Sequence, residues 1–137
     1  MKFGLYSMSM EVCSRPQPIK QVAQLAEAIG FESLWVTDHI ALPDPPAPHF
    51  QVDPKRRHLD PLVTLGFLAG ITNRVKLGTG VIVLPQRNPV VLAKQLVSLD
   101  ELSAGRLIFG LGVGHLEPEF RATGAVFNQR AIPLARC

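Results

Sequence analysis

Little in this chain suggests covalent cross-linking. Of its 137 residues only Cys13 and Cys137 are cysteine. Two thiols, one at the final position where chains fray, do not make a disulfide framework. No apolar run approaches the ~18 residues of a membrane span. Met1-Lys2-Phe3 leads straight into a strand pattern, with no apolar leader segment. The expectation is therefore a soluble, cytoplasmic protein with no membrane partner. Aromatic residues are scarce at 7%, and the formal charge is only +3. The one basic cluster, Lys55-Arg56-Arg57-His58, has no aromatic residues interleaved. That pattern describes a solvated loop, and no nucleic-acid partner is expected.

Several chemical signatures are also missing. No glycine-rich segment runs into Lys-Ser or Lys-Thr, so there is no P-loop. The nearest approach to a dinucleotide fingerprint, Gly110-Leu111-Gly112-Val113-Gly114-His115, ends in His and follows a late strand instead of the first. His39, His49, His58 and Cys13 lack ligand spacing, so no metal site is expected. Ser7 and Ser9 have no visible His-Asp partner for nucleophilic catalysis.

What is present is alternation. Hydrophobic residues make up 47% of the chain, ample for a core. Lys2 to Met8 reads as a first strand, and Arg15 to Pro18 as a connection. Ile19, Val22, Ala23, Ala26 and Ile29 then recur at helical spacing, with Gly30 where a C′ residue belongs. A second strand, Ser33 to Thr37, follows and ends in Asp38-His39. Five prolines between Pro43 and Pro54 then forbid helix, which leaves an irregular loop of roughly twenty residues. Asp60-Pro61 and Asn88-Pro89 each pair an N-cap residue with proline at the first helical position. Leu62, Leu65, Leu68, Ala69 and Ile71 form the buried stripe of one helix, and Leu92, Ala93, Leu96 and Leu99 that of the next. Leu107 to Gly112 is a fourth strand, and Glu117-Pro118 opens a last helix that ends at Gly124. Glu117 and Glu119 read as first-turn residues favoured by the helix dipole. Trp35 reads as core.

The order βαβαβαβ, with part of a further helix, means a parallel α/β sheet, open or closed into a barrel. In either case chemistry gathers at the carboxyl ends of strands. Those ends carry Met8-Ser9, Asp38-His39, Gly80 and its neighbours, and Gly114-His115. The pivotal stretch is Val75 to Pro89. Its β-branched run is interrupted by Gly78-Thr79-Gly80, which signals a bulge or a close backbone approach.

Five segments in register resemble one family. They are Trp35-Val36-Thr37-Asp38-His39; Asp60-Pro61; Val75 to Val81 with Arg87-Asn88-Pro89; Leu99 to Arg106; and Gly110 to Gly114. The family is the luciferase-like monooxygenases, and within it the F420-dependent oxidoreductases. The resemblance covers residues 1–127 and leaves a divergent tail at 128–137. It implies the N-terminal half of a TIM (β/α)8 barrel, since a whole one takes about 250 residues. It also implies hydride transfer at a deazaflavin or flavin ring, with coenzyme F420 as cofactor, or FMN in its place, and a small-molecule substrate. By the family pattern a non-proline cis peptide at Gly80-Val81 backs the ring. Asp38, His39, Thr79, Gly80, Val81, Gly112, Val113 and Gly114 are the implied cofactor-binding residues. His39 and His115 are the implied proton-handling catalytic residues, the latter standing where some relatives carry an acid.

Two departures accompany the likeness. The family's cofactor-phosphate site lies in the half of the barrel that these strands do not supply, and Ala104 stands where relatives have Gly. Two exposed sheet edges lead to the expectation of a homo-oligomer. The rival from another class is a catalytically silent homologue that serves as an interaction or structural module. Another barrel enzyme using a Schiff-base lysine is disfavoured, because neither Lys76 nor Lys94 ends a strand.

Overall fold

The computed structural model describes residues 1–131. The tail reading and Cys137 therefore lie, for residues 132–137, outside the described residues. Four strands, β1 (Gly4–Leu5), β2 (Ser33–Val36), β3 (Lys76–Thr79) and β5 (Leu107–Ile108), form one parallel sheet in the order β1-β2-β3-β5. Strands β4 (Ile82–Val83) and β6 (Leu111–Gly112) form a second parallel pair. The helices are α1 (Pro16–Ala28), α2 (Pro61–Ile71), α3 (Pro89–Leu102) and α4 (Glu117–Thr123).

The helix starts follow from local chemistry. Asp60 Oδ1 accepts the amides of Leu62 and Val63 at 2.9 and 3.1 Å. Asn88 Oδ1 does the same for Val90 and Val91 at 3.0 and 3.2 Å. Each cap satisfies donors that a first turn leaves without partners. Gly30, just past α1, has a φ of +93°, which the missing Cβ permits.

Along β2 and β3 the pairs Leu34↔Leu77 and Val36↔Thr79 sit in register. Leu34, Val36 and Leu77 pack with Leu65 and Leu68 of α2 and Ala23 of α1 in one core. Trp35 and Gly78, also paired, lie on the other face of the sheet. There the Trp35 ring covers Gly78 so closely that a Cβ would overlap it. Trp35 is thus packed over backbone and half exposed. Helices cover one face of the sheet, which is the arrangement of a barrel wall; a doubly wound sheet carries them on both.

The amino-terminal end of β3 is tightly tied. Glu27 accepts the amides of Asn73, Arg74 and Val75. The Arg106 guanidinium donates to Ala69 O, Thr72 Oγ1, Val75 O and Ser103 O at 2.7–3.1 Å.

The structure corrects several element boundaries. The first strand is only Gly4–Leu5, much shorter than Lys2 to Met8. α1 begins at Pro16, inside the stretch expected to be a connection. Prolines in a first turn lack only amides that have no intrahelical partner, so they start this helix instead of blocking it. The third and fourth strands each split in two, at Gly80-Val81 and at Phe109-Gly110. Ala93 faces outward, because α3 buries only a narrow stripe around Leu92 and Leu99.

Candidate active site

The carboxyl ends of the strands surround a hollow of about 430 Å³. Its walls are Tyr6 after β1, Thr37-Asp38-His39 after β2, Gly80, Val81 and Val83 around β4, and Gly112 to His115 from β6 onward. Eight of the nine residues singled out from the sequence line it together. The ninth, Thr79, lies behind the wall, 1% exposed. Its hydroxyl donates to Gly110 O at 2.7 Å and accepts from Gly110 N at 2.8 Å. Thr79 therefore braces the two split strands against each other.

The Gly80–Val81 peptide is cis. The Tyr6 hydroxyl donates to Gly80 O at 2.5 Å, and Gly80 N donates to Val36 O at 2.8 Å. Val81 turns its side chain outward, 41% exposed, as an apolar patch in the wall. A Cβ on Gly112 would sit 2.7 Å from Val81 Cγ2, so only glycine lets β6 approach the bulge. Around the Gly80–Val81 peptide the wall is therefore mostly glycine backbone and valine side chain.

The polar side of the hollow is set by a carboxylate absent from the expected site. Glu119 of α4 is 3% exposed. Its Oε1 accepts the amides of Ile40 and Ala41 at 2.6 and 3.2 Å, and its Oε2 lies 3.4 Å from His39 Nδ1. Burial works to raise the Glu119 carboxyl. The hydrogen bond and charge of His39 and the two backbone amides outweigh it and hold the carboxyl below its ordinary value. An ionised acceptor at Nδ1 favours the tautomer with its proton there, leaving Nε2 free to accept one. Glu119 is thus a site residue and not only a first-turn acid. Its i,i+4 neighbour pattern gave no sign of this, because its partners lie 80 residues away.

Asp38, adjacent to His39, does not orient it. Its Oδ1 pairs with Arg87 at 2.6 Å, and its Oδ2 accepts the Val83 amide at 2.9 Å. Arg87 also bridges to Asp60 at 3.0 Å. Burial pushes the Asp38 carboxyl up, against the Val83 amide and the Arg87 charge. The guanidinium stays protonated beside it, its own value raised by Asp38 and Asp60 over the cost of burial. The triad Asp38-Arg87-Asp60 locks the end of β2 to β4 and to the cap of α2.

All four histidines meet at this mouth. His39 lies 5.4 Å from His58 and 6.4 Å from His115 between ring centroids, and His49 lies 6.0 Å from His115. Phe50 packs between His39 and His115 at 5.1 and 5.4 Å. Lost hydration, then the charge of His39, depresses His115, which is exposed on the rim. The same causes pull the half-buried His58 down to about 4. The His58 ring is hydrogen-bonded to Thr37 Oγ1 at 2.5 Å. Arg56 pairs with Glu11, and Arg57 donates to Ser14, so the basic cluster is tied into the fold. Among the described residues no group of three or more His, Cys, Asp or Glu is placed to hold a metal ion. No helix among them is long and apolar enough to cross a membrane. A second hollow of about 290 Å³ shares Tyr6, Thr37 and His39 and extends to Phe50, Arg56 and His58.

A one-sided parallel sheet with a glycine-lined hollow at its strand ends defines part of a (β/α) barrel. The chain belongs to the luciferase-like monooxygenase family, whose family model matches residues 1–136. It is 38% identical over 111 residues to 5,10-methylenetetrahydromethanopterin reductase of Methanolobus tindarius, covering 81% of this chain and 29% of that one. It is 30% identical over 142 residues to the alkanal monooxygenase alpha chain of Photorhabdus luminescens, covering 100% of this chain and 36% of that one. Among solved structures, the coenzyme F420-dependent tetrahydromethanopterin reductase of Methanopyrus kandleri superimposes with a TM-score of 0.66 at 28% identity, covering 92% of this chain and 30% of that one. The chain thus spans about a third of the length of these relatives.

Proposed function

We propose that this chain carries the ring-binding part of an oxidoreductase that transfers hydride at a deazaflavin ring, with F420 as cofactor and FMN as the alternative. The observation that carries this reading is the hollow itself, which Gly80, Val81, Gly112, Val113 and Gly114 line together with His39 and His115. The identity with a methanopterin reductase and the likeness to an F420-dependent one favour F420. When bound, the ring accepts or donates hydride. The chain's own residues do the rest. Val81 and the glycine backbone would offer the ring an apolar rest, and the Tyr6 hydroxyl fixes the Gly80 carbonyl. Glu119 holds His39 so that Nε2 can carry a proton at the substrate, and His115 on the rim can exchange one with solvent. The substrate is a small molecule entering from the side of Phe50, Arg56 and His58.

Titration of the purified chain with F420 and with FMN, followed by quenching of ligand fluorescence, tests this. Saturable binding at micromolar concentration, weakened at least tenfold by Gly112→Val, is the expected result. The second reading is a catalytically silent homologue acting as an interaction or structural module. It draws on the chain's spanning only about a third of its relatives. Absence of saturable binding by either cofactor would favour it and reject the first.

A further inference from the structure

The smaller hollow beside the ring site holds a charge that the proposed chemistry does not use. It measures about 290 Å³ and shares Tyr6, Thr37 and His39 with the larger one. Met10, Leu42, Phe50 and Val52 make much of the remaining wall apolar. None of the described residues lining it is acidic, and Arg56 is the one among them that is charged at every working pH.

Backbone sets Arg56 in place. The Asp53 carbonyl accepts the Arg56 amide at 2.9 Å, and Asp53 Oδ1 accepts the Lys55 amide at 2.9 Å, which closes a tight turn just before it. After it, Glu11 N donates to Arg57 O at 3.3 Å and Leu59 N to Ser9 O at 2.9 Å. Arg56 therefore enters the wall from an anchored segment. Its Nε meets Glu11 Oε1 at 2.5 Å, from a glutamate side chain that is 58% exposed and does not line the hollow.

His58 lies in the same wall. Its value, pulled down to about 4, leaves the ring neutral at pH 7. Ser9 Oγ accepts the Thr37 amide at 3.2 Å and lies 3.3 Å from Thr37 Oγ1, so the Thr37 hydroxyl proton is assigned to His58 Nε2, 2.5 Å away. A neutral ring that accepts at Nε2 carries its proton at Nδ1 and is a donor there.

We propose that the substrate is a small carboxylate, its apolar body against Leu42, Phe50 and Val52, its carboxylate on Arg56 and His58, and its far end toward His39. This names the substrate class of the oxidoreductase reading and rests on it. A neutral ligand would strip water from the guanidinium and return no charge. A phosphate brings nearly two negative charges to a single cation, whereas a carboxylate brings one and matches the guanidinium fork. Glu11, largely in solvent, loses little when the ligand takes its place. The volume, about that of ten waters, suits a body of roughly that many heavy atoms.

Isothermal titration with phenylacetate and with its neutral isostere phenylacetamide tests the proposal, each with and without F420. Phenylacetate is expected to bind about tenfold tighter or more than the amide. Arg56→Gln, checked for folding by circular dichroism, should erase that preference. Equal affinities, binding of neither compound, or a preference that survives in folded Arg56→Gln overturns the proposal. Glu11→Gln removes the competing carboxylate from an exposed position and keeps the test decisive should Arg56→Gln not fold. It should tighten phenylacetate about threefold and leave phenylacetamide unchanged; unchanged phenylacetate affinity also overturns the proposal. Quenching of F420 fluorescence, read in the same samples, separates the two readings. Quenching without a carboxylate preference rejects this proposal alone. Arg56-dependent phenylacetate binding without quenching keeps the carboxylate site and rejects the ring reading.

Discussion

Lowering the pH from neutrality should weaken this fold, and His58 should be a main cause. Its pKa is 6.5 in an unfolded chain and about 4 in the folded one, because the half-buried ring loses hydration and faces His39 and Arg56. The folded state therefore binds fewer protons than the unfolded state between those values. The contribution of neutral His58 is complete above pH 6.5. It erodes as pH falls through that value and is gone near pH 4. A fall from 6.5 to about 4 is worth at most ~3.4 kcal/mol. Solvent on the open side of the ring screens part of this, which leaves ~1–2 kcal/mol. Glu119 adds a loss of the same sign, but its carboxyl is already below 4.5 and matters only at lower pH. The assay is urea unfolding at pH 7.5, 6.5, 5.5 and 4.5, read by the fluorescence of Trp35, the single tryptophan. His58→Gln keeps a hydrogen-bonding group toward Thr37 but does not titrate. The difference between wild type and variant should shrink by ~1–2 kcal/mol from pH 7.5 to 4.5. Parallel pH profiles for the two proteins would refute the reasoning.

Three further outcomes follow from the same coordinates. Ala104 has a φ of +56° on an exposed turn, so Ala104→Gly should raise the urea midpoint, with about 1 kcal/mol more unfolding free energy; no gain would mean that the strain is absent. Arg106→Met removes donors to three backbone carbonyls and the Thr72 hydroxyl, and should cost ~2–4 kcal/mol in the same unfolding assay. Asp38→Asn leaves Arg87 in a buried site with only Asp60 as a charge partner, and should cost ~3 kcal/mol. A thermal melt unchanged in Asp38→Asn would show that the pair contributes little.

Much of the fold could be read without coordinates, because the signals are local. Asp60-Pro61 and Asn88-Pro89 cap and start their helices within four residues, and Gly30 and Gly124 end theirs by positive φ. The break at Gly78-Thr79-Gly80 was visible as glycine inside a β-branched run. His39, Gly80, Val81 and Gly112 to His115 come together because parallel strands deliver their carboxyl ends to one rim, so strand order alone placed them.

The rest depended on distance along the chain. The partner of His39 is Glu119 from α4, while the aspartate beside His39 turns to Arg87. Nothing in the segment around Asp38-His39 distinguishes those choices, since Glu119 reaches His39, and Arg87 reaches Asp38, only once the elements are packed. The same holds for His58, whose value is pulled down by burial and by the charges of His39 and Arg56 that packing brings beside it. Local sequence settled which residues reach the mouth of the sheet. Only tertiary packing decided which of them are charged, which are paired and which are left free to act, because burial and the electrostatics of neighbours are properties of the assembled site and not of any stretch of chain.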